Sequence, residues 1–376
     1  MDSHWDVFCK VVDNFGDAGV TWRLARQLAS EHGLKVRLWI DDLAAFARLC
    51  PLANPEARAQ SIAGVQVCQW PEPWRPTSTP DVVIEAFGCK LPSDYEAALA
   101  ERAVPATWIN LEYLSAEAWV GGCHGLPSMK SGGLRKFFFF PGFRQDTGGL
   151  LREHDLLSRR NAFQADDQAR QALWRSLGVQ PPAGARVLSL FAYENPGLAG
   201  WLDQLSGAPR LTHLLVPDGR VLTDLQAWAG VPLAANAAFT RGSLSMQVLP
   251  FISQQAYDQL LWTCDFNAVR GEDSFVRAQW AGRPMLWHIY RQDEYAHWEK
   301  LEAFLELYTE PLPAAAAEVL RGLWRAWNMD GDMSAAWAAF EPHWDLIADH
   351  ARAWCEALAA RPDLATALVQ FRRNSL

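Results

Sequence analysis

Short apolar runs alternate with amphipathic segments through the first half of the chain. Several of these runs have no polar face, which is typical of parallel strands covered by helices on both sides. In the segments between them, apolar residues recur at helical spacing. This alternation predicts an α/β domain built on a parallel sheet. The predicted strands span residues 5–12, 36–40, 65–70, 82–87, 107–110 and 137–140, and the predicted helices span residues 18–32 and 43–50.

A second alternation follows a charged, Ala- and Gln-rich segment at residues 152–184, which we interpret as an inter-domain connection with its own helix. From residue 293 onward the pattern is almost entirely helical and rich in Trp and Ala. Together these features predict two Rossmann-like domains facing a central cleft, with a helical C-terminal tail. The second set of predicted strands spans residues 187–192, 213–216, 245–250, 266–269 and 285–288, with helices at residues 256–263 and 274–281.

The composition is that of a globular protein large enough for two cores: 376 residues, of which 50% are hydrophobic and 20% are charged. A formal net charge of -9 argues against a nucleic-acid partner and suits a cationic substrate or partner. The N-terminus has no basic flank followed by an apolar run, and no stretch of about 18 apolar residues occurs. We therefore expect a soluble, cytoplasmic protein with no membrane partner.

Metal and disulfide chemistry find little support in the sequence. The seven cysteines are scattered without a Cys-x-x-Cys pair, so we expect them to pack as small hydrophobic residues. No His-x-x-x-His spacing occurs, and His288 and His297 are predicted to be a strand-end residue and a helix residue. The triplet at residues 330–332, Asp-Gly-Asp, resembles a metal-binding motif, but its position between helices predicts a turn. Most of the 19 tryptophans are expected in the core.

The segment DNFGDAG, residues 13–19, joins the first predicted strand to the first predicted helix. Its two glycines allow a sharp turn, but a dinucleotide fingerprint would have glycine where Asn14 stands. Asp13 and Asp17 have two interpretations that the residues leave open. Asp13 could be a strand-end turn residue and Asp17 a helix N-cap or first-turn residue, or both could be carboxylates placed where this fold exposes its chemistry.

The segment VRGEDSFVRAQWAGRP follows a predicted strand, breaks at Gly271 and opens a helix. Its first-turn N–H groups and helix dipole suit an anion such as a diphosphate, to which Arg270 adds a charge. Capping alone explains Asp273 or Ser274, but not two acids, a hydroxyl and a flanking arginine together. A Gly-x-Pro, a strand and a Gln-Asp pair at residues 292–293 follow, an arrangement similar to that of two-domain nucleotide-sugar transferases.

Two further strand ends carry candidate ligand contacts. Phe191 and Tyr193, in FAYENP, are spaced so that both rings can face one side, either in the core or as a wall for a flat base or sugar. Gln254 and Gln255, in PFISQQAYDQL, follow another strand, and their amides could read a pyrimidine edge. The residues alone leave these alternatives open.

The segments FCKVVDNFGDAGVTWRLARQL, LWIDD, NLEYLSAE, GGLLRE and VRGEDSFVRAQWAG closely resemble those of the bacterial elongation factor P arginine rhamnosyltransferases. The resemblance runs from residue 8 to residue 297. It implies a GT-B fold and a metal-independent, inverting transfer of L-rhamnose from dTDP-β-L-rhamnose to a guanidine nitrogen of one arginine in elongation factor P. That modification would activate the factor for relief of ribosome stalling at polyproline. The resemblance further implies that residues 1–153, with a helix at about residues 360–376, hold the acceptor, and that residues 154–359 hold the donor.

The resemblance also implies roles for individual residues of this sequence. Asp17 would be the catalytic base, Asp13 its neighbouring acid and Glu272 an essential glutamate. No cofactor and no metal ligand is implied. The implied donor contacts are Asn14, Phe15, Gly16, Phe191, Tyr193, Phe251, Gln255, Arg270, Gly271, Glu272, Asp273 and Ser274.

The chemistry of such a reaction agrees with these residue types. A guanidinium with a pKa above about 12 is a poor nucleophile, and two carboxylates can grip it, orient one nitrogen and accept a proton as the C–N bond forms. A helix N-terminus and Arg270 can stabilise the charge of the departing dTDP, so that a metal is unnecessary. Two alternatives stay open: a GT-B transferase with another acceptor, and a non-catalytic module that binds a nucleotide or elongation factor P.

Overall fold

The computed structural model describes residues 3–11, 15–71, 73–74, 78–130, 134–291 and 296–374. The chain forms two compact units, named unit 1 and unit 2 below. Unit 1 comprises Met1–His154 together with Leu358–Leu376, and unit 2 comprises Asp155–Ala357. Unit 1 therefore contains segments from both ends of the chain.

Within the described residues of unit 1, an eight-stranded sheet forms the centre. Its strands are β1 (His4–Cys9), β2 (Lys35–Ile40), β3 (Ala59–Ile62), β4 (Val65–Gln69), β5 (Val82–Ala86), β6 (Thr107–Leu111), β7 (Pro127–Met129) and β8 (Arg135–Phe139). They lie in the order β3-β4-β2-β1-β5-β6-β8-β7, with β3 and β7 antiparallel at the edges and the others parallel. The order of the parallel strands reverses between β1 and β5, which makes that pair the switch point of the sheet.

Helices cover this sheet and complete its core. Leu28 of the first helix and Leu368 of the last are both buried in one apolar cluster with strand residues. Beside that cluster, Gln27 Nε2 donates to Asp363 Oδ1 at 3.0 Å, so the last helix is anchored by a buried hydrogen bond as well as by apolar contact. The helices described in unit 1 are α1 (Gly16–His32), α2 (Leu43–Leu49), α3 (Ser93–Ala100), α4 (Trp119–Cys123) and α15 (Leu364–Asn374).

The described part of unit 2 contains a six-stranded sheet. Its strands are β9 (Arg186–Leu190), β10 (Thr212–Pro217), β11 (Ala238–Arg241), β12 (Leu244–Leu249), β13 (Phe266–Arg270) and β14 (Met285–His288). They lie in the order β11-β12-β10-β9-β13-β14, and all are parallel except β11 at one edge. The switch point of this sheet lies between β9 and β13.

Tryptophan fills much of the core of unit 2. The rings of Trp201 and Trp337 pack 5.3 Å apart, and those of Trp201 and Trp327 pack 5.6 Å apart, all three being buried. Most tryptophans of the chain are buried, which confirms the expectation from the sequence. The remaining helices are α5 (Leu156–Ala165), α6 (Asp167–Ser176), α7 (Leu198–Gly207), α8 (Leu222–Ala229), α9 (Gln254–Thr263), α10 (Glu272–Ala281), α11 (Ala296–Thr309), α12 (Ala314–Asn328), α13 (Met333–Phe340) and α14 (Trp344–Ala359), with a 3-10 helix at Glu341–His343.

The α/β class and the helical C-terminal region are confirmed, and the differences are local. The first strand ends at Cys9 rather than at residue 12, and the first helix begins at Gly16 rather than at residue 18. The hydrophobic pattern misses β3, β7 and β11 because these short antiparallel edge strands expose most of their side chains.

The segment at residues 152–184 differs from its interpretation as a connection with one helix. It contains two helices, α5 and α6, whose side chains Leu156, Phe163 and Trp174 are buried. Because these side chains are buried, the two helices belong to the packed structure of unit 2.

The predicted cysteine, histidine and turn assignments are confirmed. All cysteines are free and only Cys123 is partly exposed. His288 ends β14 and His297 lies in α11. Asp330 adopts a φ of 57°, and Asp332 caps α13 by accepting from the Ala335 N–H at 3.0 Å. Across the described ranges, no helix is long and apolar enough to cross a membrane, and no three His, Cys, Asp or Glu side chains are grouped to hold a metal ion.

Candidate active site

Three of the sequence motifs lie at the switch points of the two sheets. The described part of the first motif, residues 15–19, follows β1 in unit 1; in unit 2, FAYENP follows β9, and RGEDS, residues 270–274, begins at the last residue of β13. Sheets of this type bind ligands outside the carboxyl ends of the strands at such a point. The topology therefore places each motif where its own unit can contact a ligand.

Asp17 lies in the first turn of α1 and is only 9% exposed. Phe15, the residue before the helix, makes no side-chain cap, and its carbonyl accepts from the Gly19 N–H at 2.8 Å. Asp17 is thus a first-turn residue, where the helix dipole favours a charged carboxylate. Asp13 and Asn14 lie outside the described residues.

The turn before α1 does not need glycine at its first helical position. Gly16 has no positive φ, and a Cβ built on it would meet no atom within 4 Å. Gly16 and Gly19, which were expected to allow a sharp turn, both lie within α1 instead. Cys9, at the end of β1, is buried, and burial together with the charge of Asp17 raises the pKa of its thiol. The thiol therefore stays protonated and uncharged at neutral pH.

The two aspartates after β2 each accept a backbone hydrogen bond, one of them from the chain that follows β1. Asp41 Oδ1 accepts from the Val11 N–H at 2.8 Å, and Asp42 caps α2. The guanidinium carbon of Arg48, in α2, lies 4.9 Å from the centroid of the Phe15 ring. The sequence analysis gave no role to Asp41 or Arg48, although two adjacent aspartates directly after a predicted strand could have indicated contacts at this end of the sheet.

In unit 2, Gly271 forms the turn between β13 and α10 with a φ of 68° and a ψ of 173°. This region of backbone space is essentially restricted to glycine. Trp287 Nε1 donates to the Gly271 carbonyl at 3.2 Å, and the Phe275 ring stacks on Trp287 with centroids 4.1 Å apart. A side chain of β14, Trp287, therefore fixes the turn, and a side chain of α10, Phe275, packs on that tryptophan.

The cap of α10 differs from the simple capping interpretation of this motif. Gly271 occupies the N-cap position, where it has no side chain to offer, so neither Asp273 nor Ser274 is the cap. Glu272 and Asp273 occupy the first turn instead. The positive end of the helix dipole lies at this turn, where it favours an anionic ligand.

Arg270 is held between two aromatic rings. Its guanidinium carbon lies 4.6 Å from the centroid of Phe191 and 4.7 Å from the centroid of Tyr193. Within the part of the chain that the structure describes, Arg270 makes no ion pair and its buried Nε has no hydrogen-bond partner. The two rings do face one side, as their spacing predicts, and there they orient a cation beside the start of α10.

Two further arginines are ion-paired and surround His288 with charge. Arg220 pairs with Glu194 at 2.8 Å, and Arg291 pairs with Asp330. Burial, with the charges of Arg291 and Arg270 added to it, lowers the pKa of His288 to about 3. His288 is therefore neutral at physiological pH and adds no positive charge to this end of the sheet.

The start of α9 adds an exposed amide beside the aromatic pair. The Tyr257 ring, in α9, lies 5.8 Å from the Phe191 ring, and Ser253 caps the helix by accepting from the Ala256 N–H at 3.2 Å. Gln255 is exposed in the first turn of α9, and Phe251 just before it is 42% exposed. The geometry leaves both side chains accessible to a ligand.

Glu272 has a partner that sequence reasoning missed. Lys300 Nζ, in α11, donates to Glu272 Oε1 at 2.7 Å. Both side chains are about one-fifth exposed, Lys300 at 18% and Glu272 at 22%. A cation held by rings, a helix N-terminus and this ion pair thus lie at one end of the unit 2 sheet, an arrangement that can bind a diphosphate and stabilise it as a leaving group.

Comparison with known proteins gives consistent results over the whole chain. The profile of the family described as "Elongation-Factor P (EF-P) rhamnosyltransferase EarP" matches residues 5–373. A relative named protein-arginine rhamnosyltransferase, from Pseudomonas putida, is 60% identical over 100% of both chains.

Solved structures agree with that match. One, described as "Structural basis for EarP-mediated arginine glycosylation of translation elongation factor EF-P", is 47% identical, with a TM-score of 0.73 over 100% of both chains. MurG of Acinetobacter baumannii, 14% identical with a TM-score of 0.50 over 99% of both chains, supports the GT-B fold alone. From the profile match and the identity to its relative, the chain belongs to the EarP family of elongation factor P rhamnosyltransferases.

Proposed function

We propose that this chain is a cytoplasmic protein-arginine rhamnosyltransferase that transfers L-rhamnose from dTDP-β-L-rhamnose, with inversion, to a guanidine nitrogen of one arginine in elongation factor P. The observation that carries the donor half is Arg270, clamped between Phe191 and Tyr193 beside the start of α10. The relative's name and the description of the similar solved structure support the acceptor half.

The donor diphosphate is proposed to bind against the first turn of α10. The N–H groups after Gly271 would donate to its oxygens, and Arg270 would pair with its charge. Both groups are fixed before the ligand arrives, so they stabilise the leaving dTDP without reorganisation in the transition state. Phe251 and Gln255, exposed at the start of α9, are proposed to contact the thymine.

The acceptor guanidinium is proposed to bind to Asp17, with Asp13 as a second carboxylate. Asp17 is nearly buried at a helix start, where an opposite charge interacts strongly. As the nitrogen lone pair attacks the anomeric carbon, the bond from that carbon to the phosphate oxygen breaks. Asp17 takes the nitrogen's proton, and dTDP leaves from the opposite face, which gives inversion. Because Arg270 and the helix supply the positive charge, we expect the reaction to proceed without a metal.

The substitution Asp17→Asn tests this assignment, since it removes the proton acceptor and keeps the volume. We expect the variant to fold and to bind dTDP like the wild type, while the mass of elongation factor P stays unchanged after incubation with the donor. The wild type should add one deoxyhexose to one arginine, which peptide mass spectrometry locates.

Asp42→Asn is the matched control, because Asp42 caps α2 and asparagine also caps helices. This variant should retain transfer. Rapid turnover by Asp17→Asn would refute the proposed base. A sugar added to another acceptor instead of elongation factor P would favour a different transferase, and dTDP binding by the wild type without any transfer would favour a non-catalytic module.

A further inference from the structure

The pair formed by Lys300 and Glu272 joins two helices at the proposed donor site. Lys300 Nζ lies 2.7 Å from Glu272 Oε1, and both side chains are largely buried. Glu272 is the first residue of α10, directly after the turn at Gly271. Lys300 therefore places its positive charge beside the carboxylate that opens α10.

An acid at this position creates an electrostatic conflict. The helix dipole favours a carboxylate in the first turn, but a diphosphate bound to the same turn would be repelled by it. A lysine that pairs with the carboxylate removes most of that repulsion, because the pair has no net charge. The direction of the hydrogen bond also fixes one carboxylate oxygen on Lys300 and so orients the other.

Lys300 is itself held in place by the packing of its helix. Its neighbour Phe304, one turn further along α11, is buried and packs on Phe275 with ring centroids 4.8 Å apart. On another face of α11, Glu302 accepts from Arg325 in α12 at 2.7 Å. The ion pair and the aromatic pair thus connect successive turns of α10 and α11, which restricts the positions that the ammonium group can take.

We propose that Lys300 is a positioning residue of the donor site: it neutralises and orients Glu272, so that the donor diphosphate binds at the start of α10. This inference rests on the proposed function. It assigns Lys300 an action through Glu272 and no contact with the diphosphate. Loss of the lysine would then remove the positive charge 2.7 Å from the Glu272 carboxylate, strengthen the repulsion between that carboxylate and the anion, and weaken dTDP binding by roughly tenfold.

The test is a double-mutant cycle on the full chain, with dTDP affinity measured by calorimetry at two salt concentrations. Lys300→Met should weaken dTDP binding about tenfold, less at high salt, whereas Lys300→Arg should stay within about twofold of the wild type. In a Glu272→Gln background, Lys300→Met should cause no further loss, because the carboxylate with which Lys300 pairs has already been replaced by a neutral amide. In turnover assays the loss from Lys300→Met should fall mainly on KM for the donor.

Arg325→Met is the matched control, because it removes the other ion pair of α11 without touching α10. It should leave dTDP affinity unchanged. Should Lys300→Met not fold, Lys300→Gln carries the same cycle with a polar side chain.

An equal loss from Lys300→Met in both backgrounds would overturn the inference, because it would mean that Lys300 acts on the diphosphate directly. Unchanged affinity in the wild-type background would overturn it as well. A wild type that binds no dTDP would instead refute the proposed function and this inference together, so the two failures are distinguishable.

Discussion

Replacing Gly271 by alanine separates backbone strain from steric contact. A Cβ built on Gly271 would meet no atom within 4 Å, so the substitution introduces no clash. Its φ of 68° and ψ of 173° are nevertheless a combination that side-chain-bearing residues avoid, at a cost of about 1–3 kcal/mol. Relaxation of the turn is opposed by the hydrogen bond from Trp287 to its carbonyl.

Gly322 offers a matched control in the same unit. It lies inside α12, has no positive φ, and also has no atom within 4 Å of a built Cβ. Alanine at that position should stabilise unit 2 by about 0.5–1 kcal/mol, because it lowers the entropy of the unfolded chain and suits a helix. The same Gly→Ala change is therefore expected to have opposite signs at the two sites.

Urea unfolding followed by tryptophan fluorescence measures both variants against the wild type, and calorimetry with dTDP measures the ligand site. We expect Gly271→Ala and Gly322→Ala to differ by about 1.5–4 kcal/mol in the free energy of unfolding. Misplacement of the first turn of α10 should also weaken dTDP binding by roughly tenfold or more in Gly271→Ala alone. If Gly271→Ala were as stable as the wild type and bound dTDP equally well, the reasoning from backbone strain would be refuted.

Three further predictions concern unit 2. Phe191→Leu should weaken dTDP binding, measured by calorimetry, by about two- to thirtyfold, which is the equivalent of one cation–π contact. In an Arg270→Met background the same substitution should have no added effect. An equal loss of affinity in both backgrounds would show that the ring contacts the ligand itself. The pKa of His288 is about 3 in the folded chain and 6.5 in the unfolded chain, so the unfolded chain takes up the proton first as the pH falls. The free energy of unfolding should therefore decrease by up to about 1.4 kcal/mol per pH unit between pH 6.5 and pH 3. His288→Phe should flatten that slope in urea titrations, and an unchanged slope would contradict the assignment. Asp258→Ala should lower the free energy of unfolding by about 3–5 kcal/mol in thermal or urea unfolding, since it deprives buried Arg277 of a carboxylate 2.6 Å away. The double variant Asp258→Leu with Arg277→Met should be nearly as stable as the wild type. An equal loss of stability in the single and double variants would show that the ion pair is not the cause.

Much of the fold could be predicted because its central strands are buried on both faces. A strand such as β5, buried along its whole length, gives an apolar run that needs no tertiary information to recognise. The edge strand β11 is exposed along most of its length, so its pairing with β12 depends on neighbours that a local pattern does not contain. Helix starts shifted by a residue or two for the same reason, since the backbone of a turn is set by what packs on it.

The candidate site could be predicted only where it lies next to a strand end. Arg270 and Glu272 could be assigned to the site because they directly follow the strand predicted at residues 266–269. Lys300 could not, because it lies on a separate helix, next to glutamates of its own sequence, and meets Glu272 only through packing. The role of the Phe191 ring was likewise hidden, since the sequence shows an aromatic residue without the cation that lies over it.

The insertion of unit 2 between the two parts of unit 1 has a consequence for the order of folding. During synthesis, all of Asp155–Ala357 leaves the ribosome before α15 does, and α15 supplies Leu368 to the core that surrounds α1. Unit 2 can therefore reach its native state while unit 1, although begun first, still lacks the helix that closes it. For the same reason unit 2 can be produced from one uninterrupted stretch of gene, whereas unit 1 requires a new peptide bond joining His154 to Leu358.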